Sequence, residues 1–369
     1  MPNNTRKLRT RTSPLRRALP IVVGVFLLAG IAAAATLLLR GCNTAAGKRS
    51  LPFSADREYC YTGDGFLYVD GGVLNFFSLE DESRNYSVEL DSQSVSIAGT
   101  EQLKAVYSAS SLQVVGTPFD NVIDGTFRKV DCGGKYIGAY VENADHSHTL
   151  RVYNSAGSQC YSKDFTNSSL LDFGFDADES ASLWMSELIT TGSAISTTIT
   201  TYDLNRESIT GVISVQGQVV KQIIMTNKSV FALCTDNLIR FSRETNDEAY
   251  RLQCRGYECV GSSASGGRMY LLLDRTEFSG DPLSLLVVKE DTVADETVMP
   301  IVNSPSAVGC FLMGGRTVLV NENEIVIMNA KGETDKTVRF DSSVTGAEKL
   351  SETLLLVTRG SEALLYTIK

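Results

Sequence analysis

The sequence predicts an all-β fold, a β-propeller of about eight four-stranded blades, with seven as the alternative, preceded by one N-terminal transmembrane helix. Three observations predict it. Residues 18–39, ALPIVVGVFLLAGIAAAATLLL, form one uncharged apolar run. Beyond residue 51 the chain shows short alternating apolar runs separated by Gly, Asn, Asp and Ser, the pattern of strands and hairpins rather than of capped helices. Those hairpins recur about every 41 residues, and periods of about 40–50 residues with four strands per unit mark propeller blades.

Residues 1–17 carry Arg6, Lys7, Arg9, Arg11, Arg16 and Arg17 and no acid. Positive residues beside a span stay on the cytoplasmic side, so this reads as a basic cytoplasmic tail with the remainder extracytoplasmic. Arg40, Lys48 and Arg49 on the other side weaken the asymmetry without reversing it. Pro2, Pro14 and scattered Thr, Ser and Asn give the tail no core to fold around. The charge serves as a topology signal; a patch for acidic lipid or a cytoplasmic partner is the functional alternative.

The apolar run matches the roughly 20 residues a helix needs to cross about 30 Å of hydrocarbon. A cleavable signal peptide has a shorter apolar region, about 7–15 residues. A lipoprotein signal would use Leu39-Arg40-Gly41-Cys42 and acylate Cys42, but Arg40 is out of place in such a box. An uncleaved signal-anchor in the cell membrane is therefore the expectation. Gly30 and Ala34 make a small-xxx-small pair through which spans can pack. Residues 40–53, RGCNTAAGKRSLPF, are small, polar and basic and read as a tether, which leaves 54–369 as the propeller.

The blades show themselves as repeats. Gly133-Gly134-Lys135-Tyr136-Ile137 is echoed by Gly266-Gly267-Arg268-Met269-Tyr270 and Gly314-Gly315-Arg316-Thr317-Val318, each opening a strand. Leu150–Gly157 is matched by Ile325–Gly332, and in both an Asn-x-x-Gly turn supplies residues that tolerate positive φ. Hairpins begin near Phe66, Leu103, Tyr136, Ser182, Val230, Met269, Thr317 and Thr353; the one at Leu103–Val115 is the weakest. Outer strands follow as RNYSVEL, SQCYSKDF, DEAYRLQC and TDKTVRF, while LLDFGFDADESASLWMSE reads as inner strand, turn and second strand. The last hairpin, TLLLVTR and ALLYTIK, has no outer strand of its own. Asp56–Tyr61 is the segment expected to supply it and close the ring, which removes exposed strand edges. An array of β-sandwiches is the rival fold.

The Arg-rich start, the Ile21–Leu39 span and the repeating hairpins together resemble uncharacterised bacterial single-pass membrane proteins with a propeller-like (WD40- or PQQ-like) ectodomain. The resemblance is one of architecture over nearly the whole chain. It implies a single-pass protein presenting a propeller outside the cell, and it carries over no functional residues.

From residue 51 onward 25 Lys and Arg stand against 43 Asp and Glu, a formal balance of −18. So acidic a body does not bind nucleic acid through its phosphates. No nucleophile elbow, phosphate-cradling Gly-rich loop or repeated Trp-Asp pair occurs. A quinone-holding propeller carries a Trp in each blade, whereas this chain has Trp184 alone, so no cofactor is expected.

Two weak metal candidates remain. His146 and His148, the only histidines, would share a face if they lay in a strand, with Asp145 beside them; the polar stretch Glu142–Ser147 reads instead as an exposed turn. Asp176 and Asp178 in DFGFDADES match part of a calcium-loop spacing, but Ala181 stands where that loop has Gly and Glu187 falls in a strand. Of eight cysteines, seven follow the tether at irregular spacing and read as buried thiols, with Cys254 and Cys259 the only pair placed for a disulfide. Sequons at Asn85, Asn167 and Asn227 matter only in a eukaryotic secretory route.

The function expected is a membrane-anchored protein-binding or scaffold module at the cell surface, with an extracytoplasmic protein as partner and no catalytic residues. The alternative is a module that binds or processes cell-envelope glycan through acidic residues of blade loops.

Overall fold

The computed structural model describes residues 47–90, 95–115, 122–176, 181–265, 268–275, 283–289, 297–301 and 307–368. The apolar run 18–39, the tail and Cys42 lie outside them. Among the described residues no helix is long and apolar enough to cross a membrane.

The chain opens with β1 (Lys48–Ser54). Blade one is β2 (Tyr59–Tyr61), β3 (Gly65–Asp70), β4 (Val73–Ser78) and β5 (Tyr86–Glu89); blade two is β6 (Ser96–Gly99), β7 (Lys104–Tyr107), β8 (Ser111–Val115) and β9 (Val122–Asp124). Blade three is β10 (Thr126–Cys132), β11 (Tyr136–Glu142), β12 (His148–Asn154) and β13 (Gln159–Asp164). Blade four is β14 (Ser168–Phe175), β15 (Ser182–Thr191), β16 (Ala194–Asp203) and β17 (Ser208–Gln216). Blade five is β18 (Val220–Met225), β19 (Ser229–Cys234), β20 (Asn237–Ser242) and β21 (Glu248–Gln253). Blade six is β22 (Tyr257–Ser265), β23 (Arg268–Arg275), β24 (Leu283–Lys289) and β25 (Thr297–Ile301); blade seven is β26 (Ala307–Met313), β27 (Arg316–Asn321), β28 (Glu324–Met328) and β29 (Thr334–Arg339). The eighth sheet takes β30 (Gly346–Lys349), β31 (Leu354–Arg359) and β32 (Glu362–Thr367) from the end of the chain and β1 from its start.

This is an eight-bladed β-propeller. Each hairpin start read from the sequence falls within one residue of the second strand of a blade, the Leu103 hairpin included, so eight blades stand and seven do not. The first strands of successive blades lie beside one another, β2 by β6, β6 by β10, β10 by β14, β22 by β26 and β26 by β30, which makes them the inner ring.

The ring closes through an N-terminal strand, but not the expected one. Tyr59–Tyr61 is the inner strand of blade one, because the first hairpin needs an inner strand ahead of it. Closure therefore falls to Lys48–Ser54, which takes in residues 48–53 of the stretch read as a tether. Leu51 and Phe53 alternate into the core at 7% and 6% exposure. Pro52 between them sits on an edge strand, where a missing N–H is tolerated. A seven-residue strand interrupted by Pro and opened by Lys-Arg hid its alternation.

Strand composition follows radial position. Middle strands pack on both faces, so they read as continuous apolar runs; all six residues of β19, SVFALC, are buried. Outer strands alternate, as in β13, β21 and β29. Apolar layers fill the gaps between sheets: Ile199, Ile213 and Val215 of blade four meet Val220, Val230, Ile239 and Phe241 of blade five. Each such side chain contributes roughly 1.5–3 kcal/mol by leaving water. That suffices without cross-links. All seven described cysteines are free thiols, so Cys254 and Cys259 form no disulfide; burial pushes both thiols above their ordinary range.

The strands within each blade pair antiparallel, so the loops sort into two ends of the ring. Loops joining first to second and third to fourth strands share what is here termed the upper end. Loops joining second to third strands, and blade to blade, share the lower end.

Candidate functional site

The upper-end loops of blades four and five part to leave a cleft of about 690 Å³. Ala181, Ser182, Thr201, Asp203, Asn205 and Arg206 come from blade four, with Thr210 on its outer strand; Asn227, Arg243, Glu244 and Asn246 come from blade five. Turn chemistry places them. Asp203 Oδ1 accepts from the backbone N–H groups of Asn205 (2.9 Å) and Arg206 (3.1 Å), folding the loop after β16 back on itself. The Tyr136 hydroxyl of blade three donates to Asn205 Oδ1 at 2.9 Å and fixes that amide.

Asn246 adopts φ 61°, which Asn tolerates, and its side chain lies over Gly211 of β17. A Cβ on Gly211 would come within 2.5 Å of Asn246 Oδ1 and 2.7 Å of Thr201 Oγ1, so the cleft wall requires Gly at this position.

Asp176 and Arg243 form an ion pair at 2.6 Å beneath the same loops, with side chains 4% and 16% exposed. Arg243 also donates to the Thr226 carbonyl at 2.8 Å, and the Asp176 N–H donates to the Ser182 carbonyl at 2.9 Å. A buried carboxylate in that position is compensated by its guanidinium partner.

The metal candidates are dispersed by the fold. Asp176 is engaged by Arg243, and Asp178 lies outside the described residues. Glu187 is buried in β15, where it pairs with Lys163 and accepts from the Ser168 hydroxyl at 2.9 Å. His146 sits in the turn after β11 with φ 64°, and its Nδ1 lies 2.8 Å from Glu142 Oε1. His148 opens β12 and stacks on Tyr140 at 5.1 Å between centroids. The left-handed turn between them removes the shared strand face on which joint ligation depends. Glu142 also pairs with Arg128, and the hydrogen bonds from His146 and Arg128 hold its carboxyl down at about 2. Among the described residues no three His, Cys, Asp or Glu side chains group as a metal site.

Carboxylates do collect on the inner strands, where acid chemistry by the blade core would need them. Three are tied across blade junctions: Asp172 to Lys129, Glu258 to Lys221 at 3.1 Å, and Glu348 to the Tyr59 hydroxyl. The fourth, Asp131, is pushed above the ordinary carboxylate range by burial, against the pull of Lys129. At the upper end Glu352 accepts from Gly314 N–H at 2.6 Å and from Ser263 and Lys349, joining blades six, seven and eight. Burial raises its carboxyl, but those hydrogen bonds outweigh it and hold the group below its ordinary range.

The sequence marks Asn227 only as a sequon and does not single out Asn205, Arg243 or Asn246. Each stands in a stretch legible as a turn, DLNRES, TNKS or RETND, but their convergence depends on two blades meeting.

No family model matches the sequence, and comparison with curated proteins finds no match. Solved structures do resemble the fold. BamB from Moraxella catarrhalis superposes with a TM-score of 0.54 at 9% identity, covering 88% of this chain and 99% of that one. The WD40 domain of SCAP from fission yeast gives 0.56 at 8% identity, covering 87% and 97%. The computationally designed Ika8 protein gives 0.52 at 8% identity, covering 86% and 98%. At such identities the likeness is of fold alone.

Proposed function

We propose that this protein is a membrane-anchored, extracytoplasmic scaffold whose propeller binds a protein partner through the cleft between blades four and five. A β-propeller suits a protein-binding or scaffold module: a rigid ring holds many independent loops at each end, and function resides in those loops. The observation that carries the assignment is the cleft itself, where amides, hydroxyls and both signs of charge from two blades face one concavity. Such a surface recognises polar backbone and side chains of a partner rather than an apolar small molecule.

The anchor in this proposal is residues 18–39, with 1–17 in the cytoplasm and the basic residues there setting the orientation. Residues 40–47 serve as the remaining tether. Asp176, His146 and His148 stay structural in this account.

One observation favours a second reading, binding of cell-envelope glycan: Thr201, Thr210, Asn205, Asn227 and Asn246 are the hydroxyl and amide types that match sugar hydroxyls. Affinity capture with the full chain in detergent, against a membrane and cell-wall extract, separates the two. A reproducible protein set lost on Arg206→Glu supports the scaffold. Recovery of wall glycan alone overturns it in favour of the second reading.

A further inference from the structure

Tyr136 lies outside the cleft yet touches one of its lining groups. It opens β11 of blade three, and its ring packs on the apolar layer that includes Leu150, Val152, Leu183 and Met185 of blades three and four. That packing aims the hydroxyl at the loop after β16, where it donates to Asn205 Oδ1 at 2.9 Å. Burial pushes the phenol above its ordinary range, so it stays protonated and remains a donor. With its oxygen held toward blade three, the Asn205 amide has only Nδ2 to offer elsewhere. Asn205 is exposed, and among the described residues nothing accepts from that nitrogen. The carboxylate of the same loop is occupied: Asp203 holds the backbone N–H groups of Asn205 and Arg206 and pairs with Arg206 Nε at 3.5 Å. Donors therefore dominate this loop. The phenol is not a requirement of the blade, since Met269 and Thr317 stand in its place where the Gly-Gly opening recurs.

We infer that Tyr136 is a positioning residue for the cleft: it fixes the Asn205 amide so that both Nδ2–H donors are left for the partner, and the group they meet is a carbonyl or carboxylate oxygen. The inference rests on the cleft as the partner's site. A free asparagine can turn its amide over and present oxygen or nitrogen at the same place, so it discriminates little between donors and acceptors on a partner. Held by Tyr136, it selects. A partner oxygen gains a hydrogen bond, whereas a partner N–H placed there sets donor against donor and leaves both without an acceptor. Specificity at this wall of the cleft thus originates in blade three, which contributes no lining residue of its own.

The test is a double-mutant cycle on the full chain in detergent, with the protein set that wild type recovers from a membrane extract as the probe. Tyr136→Phe and Asn205→Ala are each expected to lower recovery about five-fold or more, the size of one lost hydrogen bond. The double variant should recover no less than Asn205→Ala alone, because Tyr136 acts only through that amide. A loss through misfolding would instead add to that of Asn205→Ala. Full recovery by Tyr136→Phe, or a loss that adds, overturns the inference while Arg206→Glu, if it loses the set, leaves the cleft reading standing. Recovery undiminished on Arg206→Glu, or no reproducible set at all, removes the cleft reading and the inference with it.

Discussion

Asp176 and Arg243 meet at 2.6 Å across the junction of blades four and five, and the loops that line the cleft are built on top of that pair. One residue directly follows the inner strand of its blade and the other the third strand of the next, 67 positions away. The pair therefore couples the shape of the cleft to the packing of two blades.

Arg243→Ala leaves the Asp176 carboxylate buried without its cation and is expected to cost about 3–5 kcal/mol. Replacing both together, Asp176→Leu with Arg243→Met, recovers most of that loss, since a buried ion pair contributes little beyond an apolar pair of similar size. Urea unfolding of the three variants checks both statements.

Gly211→Ala drives a methyl group against Asn246 and Thr201 and is expected to destabilise by about 1–3 kcal/mol. Asn246→Gly removes one of the two obstacles, so the double variant should lose less than Gly211→Ala alone. Thermal melts of the single and double variants give the coupling.

Phe53 is 6% exposed and packs on Phe66 at 5.4 Å, Tyr59 at 5.3 Å and Tyr68 at 5.0 Å between ring centroids, latching the closing sheet to blade one. Phe53→Ala is expected to cost about 3–5 kcal/mol. Hydrogen exchange should rise first in β1 and β32, because the seam is where the ring opens.

Glu142 gives a pH dependence of known sign. The His146 and Arg128 hydrogen bonds hold its folded carboxyl down at about 2 against an ordinary 4.5, so between those values the unfolded chain binds more protons and stability rises with pH. The contribution is fully present above 4.5 and is lost as pH falls through about 2. Glu142→Gln abolishes it: the difference in urea midpoint between wild type and variant should be small near pH 2 and grow toward pH 5.

The ring was legible because its middle strands are buried on both faces and cannot hide: YIGAYVE, FALC and TVLVN stand out as apolar runs at even spacing. The closing strand was not, because KRSLPFS has only Leu51 and Phe53 to show an inward face and carries the charge and proline of a protected edge. The cleft was illegible for a different reason. Asn205 and Asn246 are ordinary turn residues, and only the stacking of sheets brings one turn over the other. Asp176 shows the reverse: its local spacing with Asp178 hinted at calcium, while its actual partner, Arg243, lay beyond any local window.

The most direct test of the scaffold assignment compares partner capture by the full chain with capture by three variants. Two alter the cleft, Arg206→Glu and Asn227→Ala; the third, Ser110→Arg, alters an exposed lower-end turn on blade two. The account predicts that both cleft variants lose the captured protein set while Ser110→Arg keeps it. Retention by both cleft variants, with or without loss on Ser110→Arg, would contradict it.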